Sequence, residues 1–224
     1  MRTIIGALMA AALTAAACDP TVEGRVCGFG DSLAAQNGEE LSFALAVGKF
    51  VPDGEAYDSE DGEPDFVPRP RSDVYVPVAA IPGARLDLSI LSGTHRGRLD
   101  TSGVPCSQVF ASWGTNDSLP PIPGLSDAFT VREKIDRFMG DMGGRTVLWL
   151  VPHAVGGHAV DFYGVRPEEV AKWQEELELA ALRWPNLHLQ AGRDEWLGDD
   201  DVHYTPEGQV ALANEVADRL LALP

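Results

Sequence analysis

Short apolar runs alternate with amphipathic stretches along most of this chain. Near-continuous apolar runs are typical of buried parallel strands, because helices cover both faces of such a strand. The runs predict strands over residues 25–29, 85–91, 108–113, 146–151 and 187–190, while residues 73–81 favour pairing at an edge. Apolar positions at helical spacing predict helices over residues 129–140 and 167–183, with further helices beginning at Ser32 and Thr205.

Strands that alternate with helices indicate βαβ units and therefore a parallel sheet. We expect one α/β domain, a five-stranded doubly wound sheet with helices on both faces. Residues 39–50 fit either a helix or a short strand. Residues 52–72 are proline-rich and carry seven acids between Asp53 and Asp65, so we expect a solvated insertion near the substrate cleft. Its acids lack the spacing of an EF-hand calcium loop.

The first residues resemble a bacterial export signal. Residues 1–17 hold one basic residue and an Ala-rich apolar run that is too short to span a membrane stably. Two interpretations of its end stay open: small residues at 15–17 suit signal peptidase, and the same residues before Cys18 resemble a lipoprotein box. In either case residues 18–224 form the mature domain outside the cytoplasm, and in the second a lipid on Cys18 anchors it to a membrane.

The charge balance excludes several classes of partner. The chain has 34 acidic and 17 basic residues, a formal net charge of −17. A field of that sign repels nucleic acid and anionic membrane surfaces. We therefore expect no nucleic-acid partner and no polyanionic substrate.

A glycine-rich turn, residues 28–33, joins the first predicted strand to a helix. Its sixth position is Leu33, so it lacks the G-x-G-x-x-G pattern of dinucleotide-binding turns. It has no P-loop lysine, and the residues after Ser32 do not fit a G-x-S-x-G nucleophile elbow. A serine at the start of a helix lies beside backbone N–H groups that have no partner within the helix, which suits a nucleophile.

Three further polar stretches are predicted at the same edge of the sheet, where the carboxyl ends of parallel strands bind ligands. They are Gly93 after the strand over 85–91, Asn116 after the strand over 108–113, and Asp200–His203 in the last loop. The remaining histidines show no ligand-like spacing with acids or cysteines, so we expect no metal site.

The four stretches together resemble the SGNH, or GDSL, hydrolases. Gly-Asp-Ser-Leu at 30–33 is similar to the nucleophile block, Ser-Gly at 92–93 to the glycine block, Gly-Thr-Asn-Asp at 114–117 to the G-x-N-D block, and Asp-Asp-Val-His at 200–203 to the D-x-x-H block. The resemblance covers roughly residues 24–222 without the insertion. One departure is Asp201, where the family often has glycine; we expect its side chain to face solvent.

The resemblance implies a three-layer α/β/α, flavodoxin-like fold and a serine esterase that needs no cofactor. Ser32 would be the nucleophile, His203 the general base and Asp200 its orienting acid. The oxyanion would be bound by the N–H groups of Ser32 and Gly93 and by the Asn116 amide. The substrate would be a small-molecule or glycan ester. Two alternatives stay open: acyl transfer to an envelope polysaccharide with the same site, and a non-catalytic envelope lipoprotein.

The three cysteines are Cys18, Cys27 and Cys106. If Ser32 and Asn116 meet at one edge, counting back places Cys27 five residues and Cys106 ten residues below it. That offset is roughly 16 Å at about 3.3 Å per residue. Because a disulfide needs Cα atoms within about 7 Å, this count predicts that Cys27 and Cys106 are not paired.

Overall fold

The structure is a computed structural model that describes residues 25–35, 75–80, 83–101, 106–122, 128–153 and 156–223. Residues 1–17, Cys18, residues 39–50 and the 52–72 insertion lie outside these ranges, so their interpretations stay predictions. Within the described ranges, no helix combines the length and apolar character that crossing a membrane requires.

Five parallel strands form one sheet, as the alternating pattern predicts. Their order is β2-β1-β3-β4-β5, the flavodoxin-like order, which reverses direction between β1 and β3. Every neighbouring pair is parallel. The strands are β1 (Arg25–Gly30), β2 (Tyr75–Ala80), β3 (Cys106–Ser112), β4 (Thr146–Leu150) and β5 (Leu187–Gln190).

Helices connect the strands and begin at side-chain caps in two places. Thr130 and Glu133 form a reciprocal capping box at one helix start, and the Thr205 hydroxyl accepts the N–H of Gly208 at another. The described helices are α1 (Ser32–Ala35), α2 (Leu86–Ser92), α3 (Thr94–Thr101), α4 (Val131–Met142), α5 (Gly157–Asp161), α6 (Pro167–Arg183) and α7 (Pro206–Ala222), with 3₁₀ turns at Asn116–Ser118 and Asp194–Trp196.

The strands alternate between two apolar layers. In β4, Val147 and Trp149 pack with residues of α2, α4 and α6, whereas Leu148 and Leu150 pack with residues of α1 and α7. Successive side chains of a strand point to opposite faces, so this division places helices on both sides of the sheet. The predicted three-layer α/β/α architecture is confirmed.

Helix α6 has the bounds that the sequence predicts, 167–183. The face that it buries is narrower than the extent of its apolar residues. Trp173 and Leu177 are fully buried. Leu182, in the apolar run over residues 179–182, is 85% exposed. It lies five residues after Leu177, about 140° around the helix axis from it, and so leaves the buried face.

The predicted strand over residues 85–91 is wrong, because this segment forms α2. Its leucines at every second position mimic a strand, but the place beside β1 is occupied by β2. The N–H of Leu86 donates to the Asp117 carboxylate at 2.9 Å, which caps the helix from a distant part of the chain. Gly93 therefore ends a helix in the left-handed conformation, with φ 64°, and does not follow a strand.

The predicted absence of a Cys27–Cys106 disulfide is also wrong. The two cysteines are bonded, with Cα atoms 5.6 Å apart. The count failed because it placed Asn116 at the strand end, whereas β3 ends at Ser112, opposite Gly30. The intervening residues belong to the loop, so Cys106 lies opposite Arg25 and close to Cys27.

Candidate active site

Two of the predicted site residues lie at the carboxyl edge of neighbouring strands. Ser32 is the first residue of α1, two positions after the end of β1. Asn116 begins the 3₁₀ turn that follows β3. Because Gly30 of β1 pairs with Ser112 of β3, the backbone places Ser32 and Asn116 at one edge of the sheet.

The turn before Ser32 requires glycine and a buried acid. Gly30 has φ 148°, and a Cβ there would collide with the Ser112 hydroxyl. The Asp31 carboxylate is 1% exposed and accepts the Leu33 N–H at 3.1 Å and the Ser112 hydroxyl at 3.3 Å. The Asn116 N–H also bonds to it. Asp31 thus links the Ser32 turn of the first motif block to the Asn116 turn of the third.

Burial has a large effect on the Asp31 carboxyl. Desolvation, followed by repulsion from the Asp117 charge, raises its pKa from 3.8 to about 7, against the opposing hydrogen bonds from Leu33, Ser112 and Asn116. Below about pH 7 the carboxyl that precedes Ser32 is therefore mostly uncharged.

Asp200 and His203 form a close pair in the last loop. Asp200 Oδ2 lies 2.6 Å from His203 Nδ1, and Asp200 Oδ1 accepts the His203 N–H at 2.8 Å and the Val202 N–H at 3.0 Å. Burial alone would raise the pKa of Asp200, but these hydrogen bonds outweigh it and lower the pKa. The lowered pKa favours the ionised carboxylate, which contacts the imidazole at Nδ1.

Tyr204 brings the His203 loop to the Ser32 turn. Its ring packs in the same apolar cluster as Leu33, the residue after Ser32. The pKa of the Tyr204 phenol is raised, first by burial and second by the Asp31 carboxyl, which shows that the two groups are close. Because Ser32 follows Asp31 and His203 precedes Tyr204, the predicted nucleophile and base belong to adjoining turns.

A buried charge cluster supports the Asn116 turn from behind. Lys134 Nζ of α4 donates to Asp117 Oδ1 at 2.9 Å and lies 3.5 Å from Asp87 Oδ2. Arg85 Nη2 donates to the Asp117 carbonyl at 3.5 Å, and all four residues are 5% exposed or less. Asp117 also caps α2, so the cluster ties the Asn116 turn to the turn after β2.

Gly93 is not brought to this edge. It is exposed, and its N–H donates to the carbonyl of Ile90 within α2 at 3.1 Å. Gly83 is the glycine that follows β2, whose last residue, Ala80, pairs with Gly30. Gly83 is exposed and has φ 74°. In the sequence, a Pro-Gly pair follows the alternating run over residues 73–81, and this turn signal could have identified Gly83 as the glycine after the strand.

Asp201, which was expected to face solvent, is half-buried and makes a hydrogen bond within the protein. It adopts a left-handed conformation with φ 57°, and its carboxylate accepts the His158 N–H at the start of α5 at 3.0 Å. Gly156 lies so close beneath this carboxylate that a Cβ would overlap it. The motif loop is thereby attached to α5, a contact that no pattern in the sequence indicates.

No group of three or more metal-ligating side chains occurs among the described residues. The arrangement at the edge instead holds an Asp–His pair, a serine at a helix start and an asparagine at a turn. These are the groups of nucleophilic acyl transfer by a Ser-His-Asp triad.

Comparisons with known proteins identify the fold. The sequence matches no family model, and no curated protein matches it. A lipase/acylhydrolase from Enterococcus faecalis has a similar structure, with 18% identity, a TM-score of 0.58 and coverage of 89% of this chain and 96% of that one. The chain has the fold of the SGNH hydrolases.

Two more structures with this SGNH fold are similar over their whole length. A carbohydrate acetylesterase from Sinorhizobium meliloti has 16% identity and a TM-score of 0.59, with 90% of this chain and 100% of that chain covered. A protein from Desulfitobacterium hafniense, assigned to the G-D-S-L lipolytic family, has 12% identity and a TM-score of 0.55, with 88% and 99% covered. At these identities the likeness establishes the SGNH fold.

Proposed function

We propose that this chain is a serine esterase that hydrolyses short-chain O-acyl esters, with Ser32, His203 and Asp200 as its triad. The observation that carries the proposal is the 2.6 Å contact between Asp200 Oδ2 and His203 Nδ1 in the loop adjoining the Ser32 turn. This contact fixes the imidazole so that Nε2 accepts a proton and Asp200 stabilises the imidazolium. The fold supports it, since two structures that share it are a lipase/acylhydrolase and a carbohydrate acetylesterase.

The reaction would proceed through an acyl-enzyme. Ser32 Oγ attacks the ester carbonyl carbon while its proton passes to His203 Nε2, giving a tetrahedral oxyanion. The intermediate collapses, the C–O bond to the alcohol breaks, and His203 returns the proton to the leaving oxygen. Water then attacks the acyl-enzyme with His203 as base, which releases the acid and restores Ser32.

Three donors are proposed for the oxyanion: the Ser32 N–H, the Asn116 side-chain amide and the Gly83 N–H. Gly83 replaces Gly93, whose N–H is already bonded within α2. Support comes from the strand pairing, because β2 and β3 both flank β1 and end level with it at Ala80 and Ser112. An amide donor suits this role because it carries no charge that must be desolvated.

We also propose that the domain is exported and is anchored to a membrane through a lipid on Cys18. The Cys27–Cys106 disulfide supports export, since structural disulfides persist mainly in oxidising compartments. Mass spectrometry of the mature protein should show an N-terminus at Cys18 carrying acyl chains. An unmodified N-terminus at Cys18 would instead support soluble secretion.

Turnover of simple esters tests the catalytic proposal. The purified mature domain should hydrolyse p-nitrophenyl acetate, with activity falling along a series of longer acyl chains. Ser32→Ala should keep the cooperative melt and reduce kcat by about 10⁴-fold or more. A serine-directed organophosphonate should label Ser32 alone. Retention of more than a tenth of the wild-type rate by Ser32→Ala would overturn the nucleophile assignment.

A further inference from the structure

Two exposed aromatic rings stand beside the Asp200–His203 pair. Phe162 is 73% exposed and Tyr163 is 40% exposed. Their ring centroids are 5.1 Å apart in an edge-to-face arrangement, and the His158 ring lies 5.2 Å from Phe162. We call these three side chains the aromatic platform. Contiguous exposed apolar surface of this kind commonly marks a binding site.

The platform touches the proposed catalytic pair directly. The Tyr163 ring centroid lies 6.4 Å from that of His203, edge to face. The Tyr163 hydroxyl donates to Asp200 Oδ2 at 3.4 Å, the same oxygen that lies 2.6 Å from His203 Nδ1. A ligand on the platform is therefore adjacent to the imidazole of His203.

The platform is also held in place from both sides of the site. At one end the Asp201 carboxylate accepts the His158 N–H at 3.0 Å. Beneath the rings, Ala159 and Val165 pack in a small apolar cluster with Val202, against which Leu119 also packs. The segment over residues 158–165 thus contacts both the loop of His203 and the residues after the Asn116 turn. These contacts hold the backbone that carries the exposed rings.

The chemistry of the reaction decides which part of an ester lies here. His203 returns its proton to the leaving oxygen, so the alcohol part of the ester must lie on the His203 side. The acyl part lies toward the oxyanion donors at the ends of β1, β2 and β3. Resting on the proposed esterase function, we propose that the aromatic platform binds the alcohol part of the substrate, a neutral sugar ring stacked on Phe162 with Tyr163 at its side.

The surroundings favour a neutral sugar over a lipid or an anionic glycan. Both rings are open to solvent, which suits a flat sugar ring that covers one apolar face while its hydroxyls stay hydrated. Asp161, Asp199 and Asp200 lie in the segments that carry or adjoin the platform, and the chain has a net charge of −17. Acids at this density disfavour uronic or phosphorylated sugars by repulsion.

Kinetics on two matched ester series test the proposal. One series keeps the acetyl group and changes the alcohol from ethanol to a mono-acetylated methyl glucoside and an acetylated neutral oligosaccharide. The other keeps ethanol and lengthens the acyl chain from acetate to hexanoate. Phe162→Ala should lower kcat/KM on the sugar esters about tenfold relative to its effect on ethyl acetate, mainly through KM. Its effect should not grow with acyl length.

Three further variants sharpen the result. Leu182→Ala removes an exposed apolar side chain on α6, 85% exposed, and should behave as wild type on both series. Phe162→Tyr should retain the sugar preference because it keeps a ring, whereas Phe162→Leu should not restore it. A loss that grows with acyl length, or full rescue by Phe162→Leu, would overturn the proposal and leave the esterase function intact.

Binding separates failure of the platform from failure of the esterase proposal. The Ser32→Ala protein should broaden the NMR lines of a neutral oligosaccharide without ester groups, and adding Phe162→Ala should remove that broadening. If wild type hydrolyses none of the esters, the esterase proposal fails, and this titration still decides the platform. Equal broadening with and without Phe162 would overturn it.

Discussion

His203 and His95 each lie beside an aspartate, and they differ chiefly in access. His203 Nδ1 is 2.6 Å from Asp200, and its side chain is 31% exposed. His95 Nε2 is 2.7 Å from Asp141, and its side chain is 1% exposed. The Ser89 hydroxyl lies 3.2 Å from the other nitrogen of His95, so a buried Ser-His-Asp set exists here in addition to the one proposed for Ser32, His203 and Asp200.

The surroundings of the two sets explain why only one is proposed to be catalytic. His95 lies in the helical layer, where its ring packs 5.6 Å from that of Phe138, and no substrate reaches it. The His203 loop stands at the carboxyl edge of the sheet beside turns that present backbone N–H groups. The comparison teaches that the triad residues are recognised by access and by oxyanion donors as well as by their contacts.

Replacing each histidine in turn should give the largest difference in kcat between the two sets. His203→Ala should reduce kcat on p-nitrophenyl acetate by about 10⁴-fold or more, because the proton acceptor of Ser32 is lost. The double variant with Ser32→Ala should be little worse, since the two residues act as a unit. Steady-state kinetics with urea unfolding of each variant measure both effects.

His95→Ala is the matched control and should keep the wild-type kcat. If it abolished turnover with an unchanged melting transition, the buried set would be catalytic and the comparison would be reversed. A His203→Ala protein with a tenth or more of the wild-type rate would contradict the proposed role of the exposed pair.

Removing an oxyanion donor should have the next largest effect. Asn116→Ala should lower kcat about 10²–10³-fold, roughly 3–4 kcal/mol, because one of three proposed donors is lost. The loss should appear in kcat more than in KM, since the donor acts on charge that develops in the transition state. An unchanged kcat would show that Asn116 is only a turn residue, like its neighbour Asp117.

The sequence predicts the fold well where the pattern is local. Buried runs and helix caps locate β1, β3, β4, β5, α6 and α7 to within a few residues, and the order of the motif blocks indicates the edge that holds the site. The strand over 85–91 was mispredicted because alternating leucines fit either element. Its helix is capped by Asp117, which lies 31 residues away from Leu86.

Other features depend on contacts that the sequence does not encode locally. The disulfide was missed because the residues between the end of β3 and Asn116 belong to a loop, whereas the count treated them as part of the strand. The contact of Tyr163 with Asp200 joins residues 37 positions apart, and no spacing rule connects them. The buried cluster around Lys134 likewise pairs charges from three separate segments, and no pattern in the sequence connects them.

His95→Ala should in turn cost stability and not activity. The substitution removes a buried ring together with its hydrogen bonds to Ser89 and Asp141, and it leaves a cavity beside Phe138. The free energy of unfolding should therefore fall by about 2–3 kcal/mol. Arg96→Ala is the matched control, because Arg96 also lies near Asp141, at 3.7 Å, but is 69% exposed. It should cost less than about 1 kcal/mol. Equal losses of stability in the two variants would show that burial does not make the His95–Asp141 pair worth more than the Arg96–Asp141 pair.

Asp31 makes the stability of the turn before Ser32 depend on pH. Its folded pKa is raised to about 7 from 3.8, so between these values the folded protein keeps a proton that the unfolded chain has lost. Stability from this group is complete below the unfolded pKa and is lost as the pH rises through the folded pKa. The free energy of unfolding should therefore fall by about 2–3 kcal/mol from pH 5 to pH 8 on account of Asp31.

Asp31→Asn should remove that fall, because an amide cannot ionise and still accepts the Leu33 N–H and the Ser112 hydroxyl. Urea unfolding at pH 5 and pH 8 should show wild type losing about 2–3 kcal/mol more than the variant between the two conditions. Asp199→Asn, which removes an exposed carboxyl, should keep the wild-type pH dependence. Parallel profiles for wild type and Asp31→Asn would mean that Asp31 is ionised throughout this range. The turn would then hold a buried charge beside Ser32.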